Sequence, residues 1–226
     1  MAARRVAVFD LDGTIMRVDT YVYFLLAVMR GHPTRALRAF WLPLAVAVHK
    51  LGWRDNTWLK RAFLRSILGG MGRQQLEAMA QPVVERLVER YVRVGARAAL
   101  KRHYDAGDRV VVATASFDFY VTGLAKRLGV DEVVCTESVW SGDRLTDGLG
   151  RGNCYGGEKL RRLIDLLGGK DGRPYVYVYT DHDSDRPLLD WADRGVAVNP
   201  GPRLREYCRV KGYPVVDWER SDWQVG

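Results

Sequence analysis

The feature that most constrains this chain is a pair of aspartates, Asp10 and Asp12, directly after the apolar run Val6-Ala7-Val8. The run predicts a buried strand, so both carboxylates follow its carboxyl end and project from one edge of a sheet. Gly13 permits a sharp turn there, and Thr14 adds a hydroxyl group. Carboxylates this close together repel each other unless a cation lies between them, and Mg²⁺ prefers oxygen ligands. The motif therefore predicts a Mg²⁺ site, against the alternative of a strand that ends in an acidic turn.

Three further segments carry reactive side chains in similar positions. The apolar run 110–113 leads to Thr114, and the run 175–179 leads to Asp181 and Asp185. Lys159 follows two glycines at the start of a helical pattern. Because ligands of parallel sheets bind beyond the carboxyl ends of the strands, these side chains are expected to meet Asp10 at one edge.

The order of these motifs, Asp-x-Asp, Thr, Lys and Asp-x-x-x-Asp, resembles the haloacid dehalogenase superfamily of phosphohydrolases over about the whole chain. The likeness is greatest to the subfamily that includes phosphoserine phosphatase. Segments 152–159 and 196–204 look like its bacterial branch, which includes phosphatidylglycerophosphatase C. The resemblance implies a phosphate-ester substrate and Mg²⁺ as the cofactor.

The resemblance also implies a role for each matching residue. Asp10 is the nucleophile that forms an aspartyl-phosphate, and Asp12 protonates the leaving oxygen and then activates water. Thr114 and Lys159 hold the phosphoryl group. The metal ligands are Asp10, the backbone carbonyl of Asp12, and Asp181. Asp185 lies behind them and positions Lys159 or a metal-bound water.

Strand and helix patterns alternate along most of the chain, which predicts an α/β fold with a Rossmann-like parallel sheet. Between the first two motifs the pattern is only helical. We therefore expect a core formed by residues 1–16 and 95–226, and a helical cap over 17–94, inserted after the first strand as in the C1 caps of the superfamily. A glycine-rich turn or hinge is expected at 69–72, and a hairpin turn at 140–144. Strand patterns lie near 5–9, 109–114, 132–136, 175–180 and 195–198, and helical patterns near 20–30, 34–50, 56–69, 73–92, 95–106, 118–128, 157–168, 184–193 and 202–212.

The net charge of +8 is concentrated in the expected cap. Residues 15–107 hold 16 Lys and Arg against six Asp and Glu, whereas the rest of the chain is slightly acidic. Basic residues such as Arg35 and Arg38 flank the apolar stretch 39–48, a combination that suits an anionic membrane surface. The alternative is a helical bundle with a solvated basic rim. No motif of a nucleic-acid-binding protein is present, so nucleic acid is not an expected partner.

The leaving group is left open by the sequence. The candidates are a lipid phosphate, such as phosphatidylglycerophosphate, and a small soluble metabolite, such as phosphoserine or histidinol phosphate. Asp19 is the one acid shortly after the first motif and is placed to cap the next helix. Two other readings are a phosphotransferase on the same scaffold and a non-catalytic module that binds a membrane or a partner. The oligomeric state is not predicted.

The expected location is the cytoplasm, with peripheral contact at the inner face of the membrane. Three widely spaced cysteines form neither a disulfide framework nor a zinc motif, which suits a reducing compartment. No apolar stretch reaches the ~20 residues that span a bilayer.

Overall fold

A computed structural model describes residues 5–130, 132–169 and 172–219. Its centre is a six-stranded parallel sheet, which confirms the predicted α/β class. The strands are β1 (Arg5–Phe9), β2 (Arg109–Phe117), β3 (Glu132–Thr136), β6 (Tyr175–Thr180), β7 (Arg194–Val198) and β8 (Val215–Val216). Their spatial order is β3-β2-β1-β6-β7-β8. The sequence patterns indicated the first five of these strands, and the two-residue edge strand β8 was not expected.

Both faces of the sheet are covered by helices, as a parallel sheet requires. In β1, Val6 and Val8 join a cluster with Leu163 on one face, while Ala7 and Phe9 face a second, larger cluster. The helices that follow the insert are α6 (Val94–Asp105), α7 (Asp118–Arg127), α8 (Gly157–Leu167), α9 (Arg186–Trp191) and α10 (Pro202–Lys211). A two-stranded hairpin, β4 (Ser138–Ser141) and β5 (Arg144–Leu149), surrounds the turn expected at 140–144.

A helical insert connects β1 to α6. It consists of α1 (Thr20–Gly31), α2 (Pro33–Arg38), α3 (Leu42–Lys50), α4 (Asn56–Phe63), a π-helical segment (Leu64–Leu68) and α5 (Arg73–Arg90). The helix expected over 34–50 is wrong, because the structure divides it into α2 and α3. Pro43 has no N–H to donate to Ala39, as a continuous α-helix would need, and Leu42 donates to that carbonyl at 3.0 Å instead.

The two ends of the insert are hydrogen-bonded to each other through the main chain. Arg17 N–H donates to the carbonyl of Tyr91 at 2.9 Å, and Arg93 N–H donates to the carbonyl of Ile15 at 2.9 Å. The glycine-rich segment 69–72 is also attached to the core hairpin, because Gly70 N–H donates to Leu145 O at 2.8 Å. The chain thus leaves and re-enters the sheet at one point, and the insert lies over the carboxyl edge of the sheet.

Three further expectations concern the C-terminal residues, the cysteines and membrane-spanning helices. Trp218 is fully buried and packs on the rings of Phe9 and Tyr179. The outer ends of the expected core, 1–4 and 220–226, lie outside the described residues. Cys135, Cys154 and Cys208 are free thiols. Of the helices in the described ranges, none is both long and apolar enough to cross a bilayer.

Candidate active site

The predicted residues meet at the carboxyl edge of the sheet, beside a cavity of ≈ 610 Å³ between core and insert. Parallel pairing of β1 with β6 places Phe9 beside Tyr179, so Asp10 and Asp181 follow neighbouring strand ends. The cavity lining includes Asp10, Asp12, Thr114, Lys159 and Asp181. The strand ends and the start of α8 therefore bring these five side chains to one place.

Lys159 lies buried between two carboxylates. Its ammonium donates to Asp10 Oδ1 at 2.8 Å and to Asp185 Oδ2 at 2.7 Å. Thr180 donates to the same Asp185 oxygen at 2.8 Å. Burial works to lower the pKa of Lys159, but the charges of Asp10 and Asp185 outweigh it and raise the pKa, so the ammonium stays charged. Asp185 therefore holds the ammonium of Lys159 beside Asp10.

Thr14 connects Asp10 to Asp181. Its hydroxyl lies 3.3 Å from Asp10 Oδ2 and 3.0 Å from Asp181 Oδ1. Burial raises the pKa of Asp10 well above its usual range, and the charges of Asp185 and Asp181 add to this while Lys159 opposes it. Burial likewise raises the pKa of Asp181. Both carboxyl groups are thus held in a setting that disfavours their negative charge unless a cation compensates it.

The turn at Gly13 lets these carboxylates approach each other. Gly13 has φ +83°, a left-handed conformation that side chains other than glycine rarely adopt. A Cβ at this position would lie 2.1 Å from Asp181 Oδ2. Glycine is therefore needed both for the turn and for the space that Asp181 occupies.

The donor set fits a divalent cation. Lys159 contacts Asp10 and Asp185, Asp181 is linked to Asp10 through Thr14, and Asp185 Oδ1 is buried without a hydrogen-bond partner among the described residues. Within the described ranges, no three acidic, histidine or cysteine side chains form a metal cluster by themselves. Mg²⁺ usually binds one or two carboxylates together with substrate and water oxygens, and the expected set of two carboxylates and one carbonyl stays a prediction.

Asp12 points to the other side of the site, towards the insert and β2. Its Oδ1 accepts from Thr20 N–H at 2.6 Å, and its Oδ2 accepts from Ser116 at 2.7 Å and from Thr114 at 3.3 Å. The carboxyl group is therefore fixed between α1 and β2, apart from the Asp10–Lys159 pair. Asp10 and Asp12 thus have different surroundings although they are two residues apart.

Lys60 is a site residue that was not identified from the sequence. It comes from α4 of the insert, is 9 % exposed, and lines the cavity. Its ammonium donates to the carbonyl of Ala115, to Thr136 Oγ1 at 3.2 Å and to Asn153 Oδ1 at 2.7 Å. None of these partners is a carboxylate, and burial lowers the pKa of Lys60 to about 8. The sequence offered only a lysine on an amphipathic helix, which usually faces solvent.

The remaining acids and the histidine of this region have local partners. Asp183 pairs with Arg186, and His182 contacts Ser184 Oγ at 2.9 Å. Asp19 accepts from Val22 N–H at 2.8 Å and caps α1, as its position suggested. Asp183 and His182 are therefore held by contacts within this short segment.

The wall of the cavity formed by the insert is largely apolar. It combines side chains from α1, α3 and α4 with Val18, which precedes them, and they are Val18, Val22, Leu25, Val46, Leu59 and Phe63. Tyr21 also lines the cavity, and its hydroxyl has no hydrogen-bond partner among the described residues. The catalytic edge is thus polar, while the space for the rest of a ligand is mostly apolar.

Comparisons with known proteins identify the family and the fold. Residues 7–190 match the family described as haloacid dehalogenase-like hydrolase. A histidinol-phosphatase from Neisseria meningitidis serogroup C is 26 % identical over 232 residues, which cover 96 % of this chain and 100 % of that protein. A protein of unknown function from Bordetella pertussis Tohama I superposes with a TM-score of 0.83 and 25 % identity, over 96 % of this chain and 100 % of the other. A phosphoserine phosphatase solved as a phospho-aspartyl intermediate analogue shares the fold, with a TM-score of 0.61 and 16 % identity over 95 % and 93 % of the two chains.

Proposed function

The chain belongs to the haloacid dehalogenase-like hydrolases, and from this membership and the site we propose that it is a Mg²⁺-dependent phosphomonoesterase that acts through an aspartyl-phosphate. The observation that carries the proposal is the contact of Lys159 with both Asp10 and Asp185, at 2.8 and 2.7 Å. A charged lysine beside a buried carboxylate is the arrangement needed to bring a phosphate dianion to an anionic nucleophile.

In the first step, a carboxylate oxygen of Asp10 attacks phosphorus and the bond from phosphorus to the leaving oxygen breaks. Lys159 offsets the charge of the phosphoryl oxygens and prevents Asp10 from being repelled by them. The hydroxyl of Thr114, which donates to Asp12 Oδ2 at 3.3 Å in this structure, holds a phosphoryl oxygen. Asp12, held separately by Thr20 and Ser116, donates a proton to the leaving oxygen.

In the second step, water attacks the phosphorus of the aspartyl-phosphate. Asp12, now ionised, accepts the proton of that water, and the bond between Asp10 and phosphorus breaks to release inorganic phosphate. The separate surroundings of Asp10 and Asp12 support this division of roles, because a nucleophile and a general acid need different protonation states.

Asp10, Asp181 and the carbonyl of Asp12 would hold the Mg²⁺, which supplies positive charge for the phosphoryl oxygens when bound. The cavity is lined by the carboxylates of Asp10, Asp12, Asp19 and Asp181 and by two ammonium groups, those of Lys60 and Lys159, and this excess of carboxylates supports the assignment. Thr14 keeps Asp10 and Asp181 oriented towards each other through its hydroxyl. Asp185 keeps its place behind them by accepting from Thr180 and Lys159.

The apolar wall of the cavity supports a leaving group with an apolar part, such as a lipid phosphate. Leu25 and Val46 offer such a group no hydrogen bonds and favour it by excluding water. The predicted likeness to the branch that includes phosphatidylglycerophosphatase C points the same way and stays a prediction.

A second candidate is a phosphorylated amino alcohol such as histidinol phosphate. It is favoured by the Neisseria relative named histidinol-phosphatase, which aligns over its whole length. Asp19 and the unpartnered hydroxyl of Tyr21 line the cavity and are suited to the ammonium or ring nitrogen of such a molecule. Relative kcat/KM on the two classes of ester decides between them.

The test is phosphate release from a panel that contains histidinol phosphate, phosphoserine, a chromogenic aryl phosphate and detergent-dispersed lipid phosphates. Each substrate is assayed with Mg²⁺ on the parent protein and on Asp10→Asn, because an amide cannot form the acyl-phosphate. We expect the parent to hydrolyse at least one class and Asp10→Asn to hydrolyse none. Trapping of the parent with beryllium fluoride provides an independent readout of the nucleophile.

Asp183→Asn is the matched control, since it removes one carboxylate from the same region at a residue that pairs with Arg186. It should keep most of the parental activity. If Asp10→Asn hydrolysed these esters at a near-parental rate, the nucleophile assignment would be wrong. If the folded parent hydrolysed none of them with Mg²⁺ present, the phosphatase proposal would fail and the non-catalytic reading would gain.

A further inference from the structure

The outer side of the insert exposes large apolar side chains over a short length of chain. Phe40 is 83 % exposed, Leu37 and Trp53 are each 74 % exposed, and Leu44 and Leu51 are about two-thirds exposed. We call these five residues the outer apolar surface. Single exposed apolar residues are common on proteins, but a group of this size marks an interaction site.

Three of these side chains, those of Leu37, Phe40 and Leu44, follow one another along a nearly continuous helical path. Phe40 N–H donates to Leu37 O and Leu44 N–H donates to Trp41 O, so the bend between α2 and α3 keeps a helical course. Leu44 and Leu51 are two turns apart and lie on the same face. The buried face of α3 is formed by Leu42 and Ala45. The outer apolar surface is therefore the opposite face of the same elements.

α3 is apolar on both faces, which is unusual for a helix at a protein surface. Besides Leu44, its exposed residues include Pro43 and Ala47, and its only Lys, Arg, Asp or Glu residue is Lys50, which is exposed. A helix that is apolar all round is normally covered by protein or by lipid. In this structure only the inner face of α3 is covered, so the outer face lacks its apolar partner.

The charge around this surface is mostly positive. From residue 20 to residue 54 the sequence contains no Asp or Glu, and it contains Arg30, Arg35, Arg38, Lys50 and Arg54. Arg30, Arg38, Lys50 and Arg54 are exposed. Arg35 is partly engaged, because it donates to the carbonyl of Ile67 at 2.7 Å. Exposed cations thus outnumber acids around the apolar centre, and the nearest acid in sequence is Asp55, which caps α4 by accepting from Trp58 N–H.

We propose that the outer apolar surface docks the protein on an anionic lipid bilayer, with Phe40, Leu44 and Trp53 in the interfacial layer and Arg38 and Lys50 at the headgroups. Cations around an apolar face match the two components of interfacial binding, which are burial of apolar side chains and attraction to anionic headgroups. A second copy of the chain is a poorer partner, because it would bring together two faces on which Lys and Arg outnumber acids.

Docking in this way brings the catalytic cavity close to the membrane. Val46, on the inner side of α3, lines the cavity, whereas Leu44 on the same helix belongs to the outer apolar surface. The thickness of one helix therefore separates the proposed bilayer contact from the proposed leaving-group site. The docking itself does not depend on catalysis, so it can be tested on an inactive protein.

The experiment is co-sedimentation of the whole chain with vesicles of phosphatidylcholine that contain increasing fractions of phosphatidylglycerol, at low and high salt. We expect binding that rises with the anionic fraction and falls with salt. The charge variant is Arg38→Glu with Lys50→Glu, and Arg35 is left intact because of its contact with Ile67. Loss of each basic residue should weaken binding about fivefold, so the double reversal should weaken it by about 25-fold or more.

The matched control is Lys126→Glu with Lys211→Glu, which makes the same change in net charge on exposed residues of α7 and α10. It should bind nearly as well as the parent. Phe40→Ser with Leu44→Ser tests the apolar component and should weaken binding about tenfold or more, with little effect on stability because both side chains are exposed. Asp10→Asn should bind vesicles like the parent, which separates failure of docking from failure of the proposed function.

Three outcomes would overturn the proposal. The first is no binding to anionic vesicles at low salt. The second is equal weakening by the charge variant and its control, which would indicate attraction by net charge alone. The third is a parent that is dimeric in solution and becomes monomeric on Phe40→Ser with Leu44→Ser without any vesicle binding, which would identify a second copy as the partner.

Discussion

Replacement of Lys60 by methionine tests how tightly the insert is joined to the catalytic edge. Methionine keeps the unbranched apolar stem of lysine and removes the ammonium. In the parent that ammonium is buried, and its hydrogen-bond partners, Ala115, Thr136 and Asn153, are all neutral. A charge held by neutral partners is stabilised less than one held by a carboxylate, so its protonation should cost folding free energy.

The size of this cost follows from the pKa of Lys60. Burial lowers the pKa from 10.5 to about 8 in the folded protein. Each pKa unit corresponds to about 1.4 kcal/mol, so the difference corresponds to about 3 kcal/mol. Below pH 8 the lysine is charged in both states and the full cost is present. As the pH rises from about 8 to 10.5 the folded state loses its proton first, so the parent gains stability over this range.

The assay is urea unfolding of the parent and of Lys60→Met at a series of pH values that spans this range. The informative quantity is the free energy of unfolding of the parent minus that of the variant, because tyrosine and cysteine titrations occur in both proteins and cancel. We expect this difference to rise by about 3 kcal/mol between pH 8 and pH 10.5. Lys126→Met is the matched control, and its difference from the parent should stay nearly constant because Lys126 is exposed.

A difference between parent and Lys60→Met that stays flat, or that falls with pH, would refute the reasoning. It would mean that the ammonium of Lys60 is solvated in solution, and that α4 does not hold the end of β2 through the carbonyl of Ala115. A rise that appeared equally in Lys126→Met would assign the effect to the unfolded state instead of the buried site.

Three further predictions concern the acidic side of the site. Gly13→Ala should destabilise the fold by about 1–2 kcal/mol because residue 13 has a left-handed backbone, and it should weaken Mg²⁺ activation because the added Cβ displaces Asp181. Urea unfolding measures the first effect and a Mg²⁺ titration of activity measures the second. Parental values in both would contradict this prediction. Lys159→Met should destabilise by about 3–5 kcal/mol, because Asp10 and Asp185 lose their buried cation, and unchanged unfolding would remove the inferred role of the lysine. EDTA should abolish phosphate release, Mg²⁺ should restore it and Ca²⁺ should not; full activity after exhaustive chelation would exclude the proposed metal site.

The sequence was sufficient to predict that Asp10, Thr114 and Asp181 lie close together, because each of them lies at or near the carboxyl end of a parallel strand. An apolar run followed by acids fixes where a buried parallel strand stops, and the register of β1 with β6 then sets Asp10 beside Thr180 and Asp181. The contact of Lys159 with Asp10 follows from the start of α8 at the same edge. The chemical roles of these residues are still predictions that the experiments above address.

Lys60 and Thr20 could not be assigned to the site in this way. Both belong to the insert, where a helical pattern shows which residues are buried but does not show which helix lies over the sheet. In the sequence, Lys60 looks like any lysine on the solvent face of a helix, and only the packing of α4 beside Ala115 shows that it is buried. The backbone N–H of Thr20 donates to Asp12 because α1 begins at Thr20, beside the site. Tertiary packing of the insert, which has no local sequence signal, determines both contacts.

The division of the helix expected at 34–50 has a different cause. Pro43 is compatible with a helix only within its first turn, so a proline in the middle of an apolar run marks a new start instead of an interior position. The prediction of one helix over 34–50 followed the pattern of apolar residues and did not take Pro43 as the start of a new helix. The break matters for the surface, because the bend at 39–41 exposes Phe40 while it keeps Trp41 half-buried beside Ser66.

The main-chain pairing of Ile15 and Arg17 with Arg93 and Tyr91 gives this architecture a modular character. Because the two ends of the insert are held together by backbone groups, the attachment does not depend on which side chains occupy the helices between them. The entropy of closing such a loop rises slowly with length, by about 0.6 kcal/mol for each doubling. A shorter or longer segment could therefore be grafted between these ends while the sheet and its acidic edge are retained, and leaving-group selectivity could be exchanged between relatives without rebuilding the chemistry.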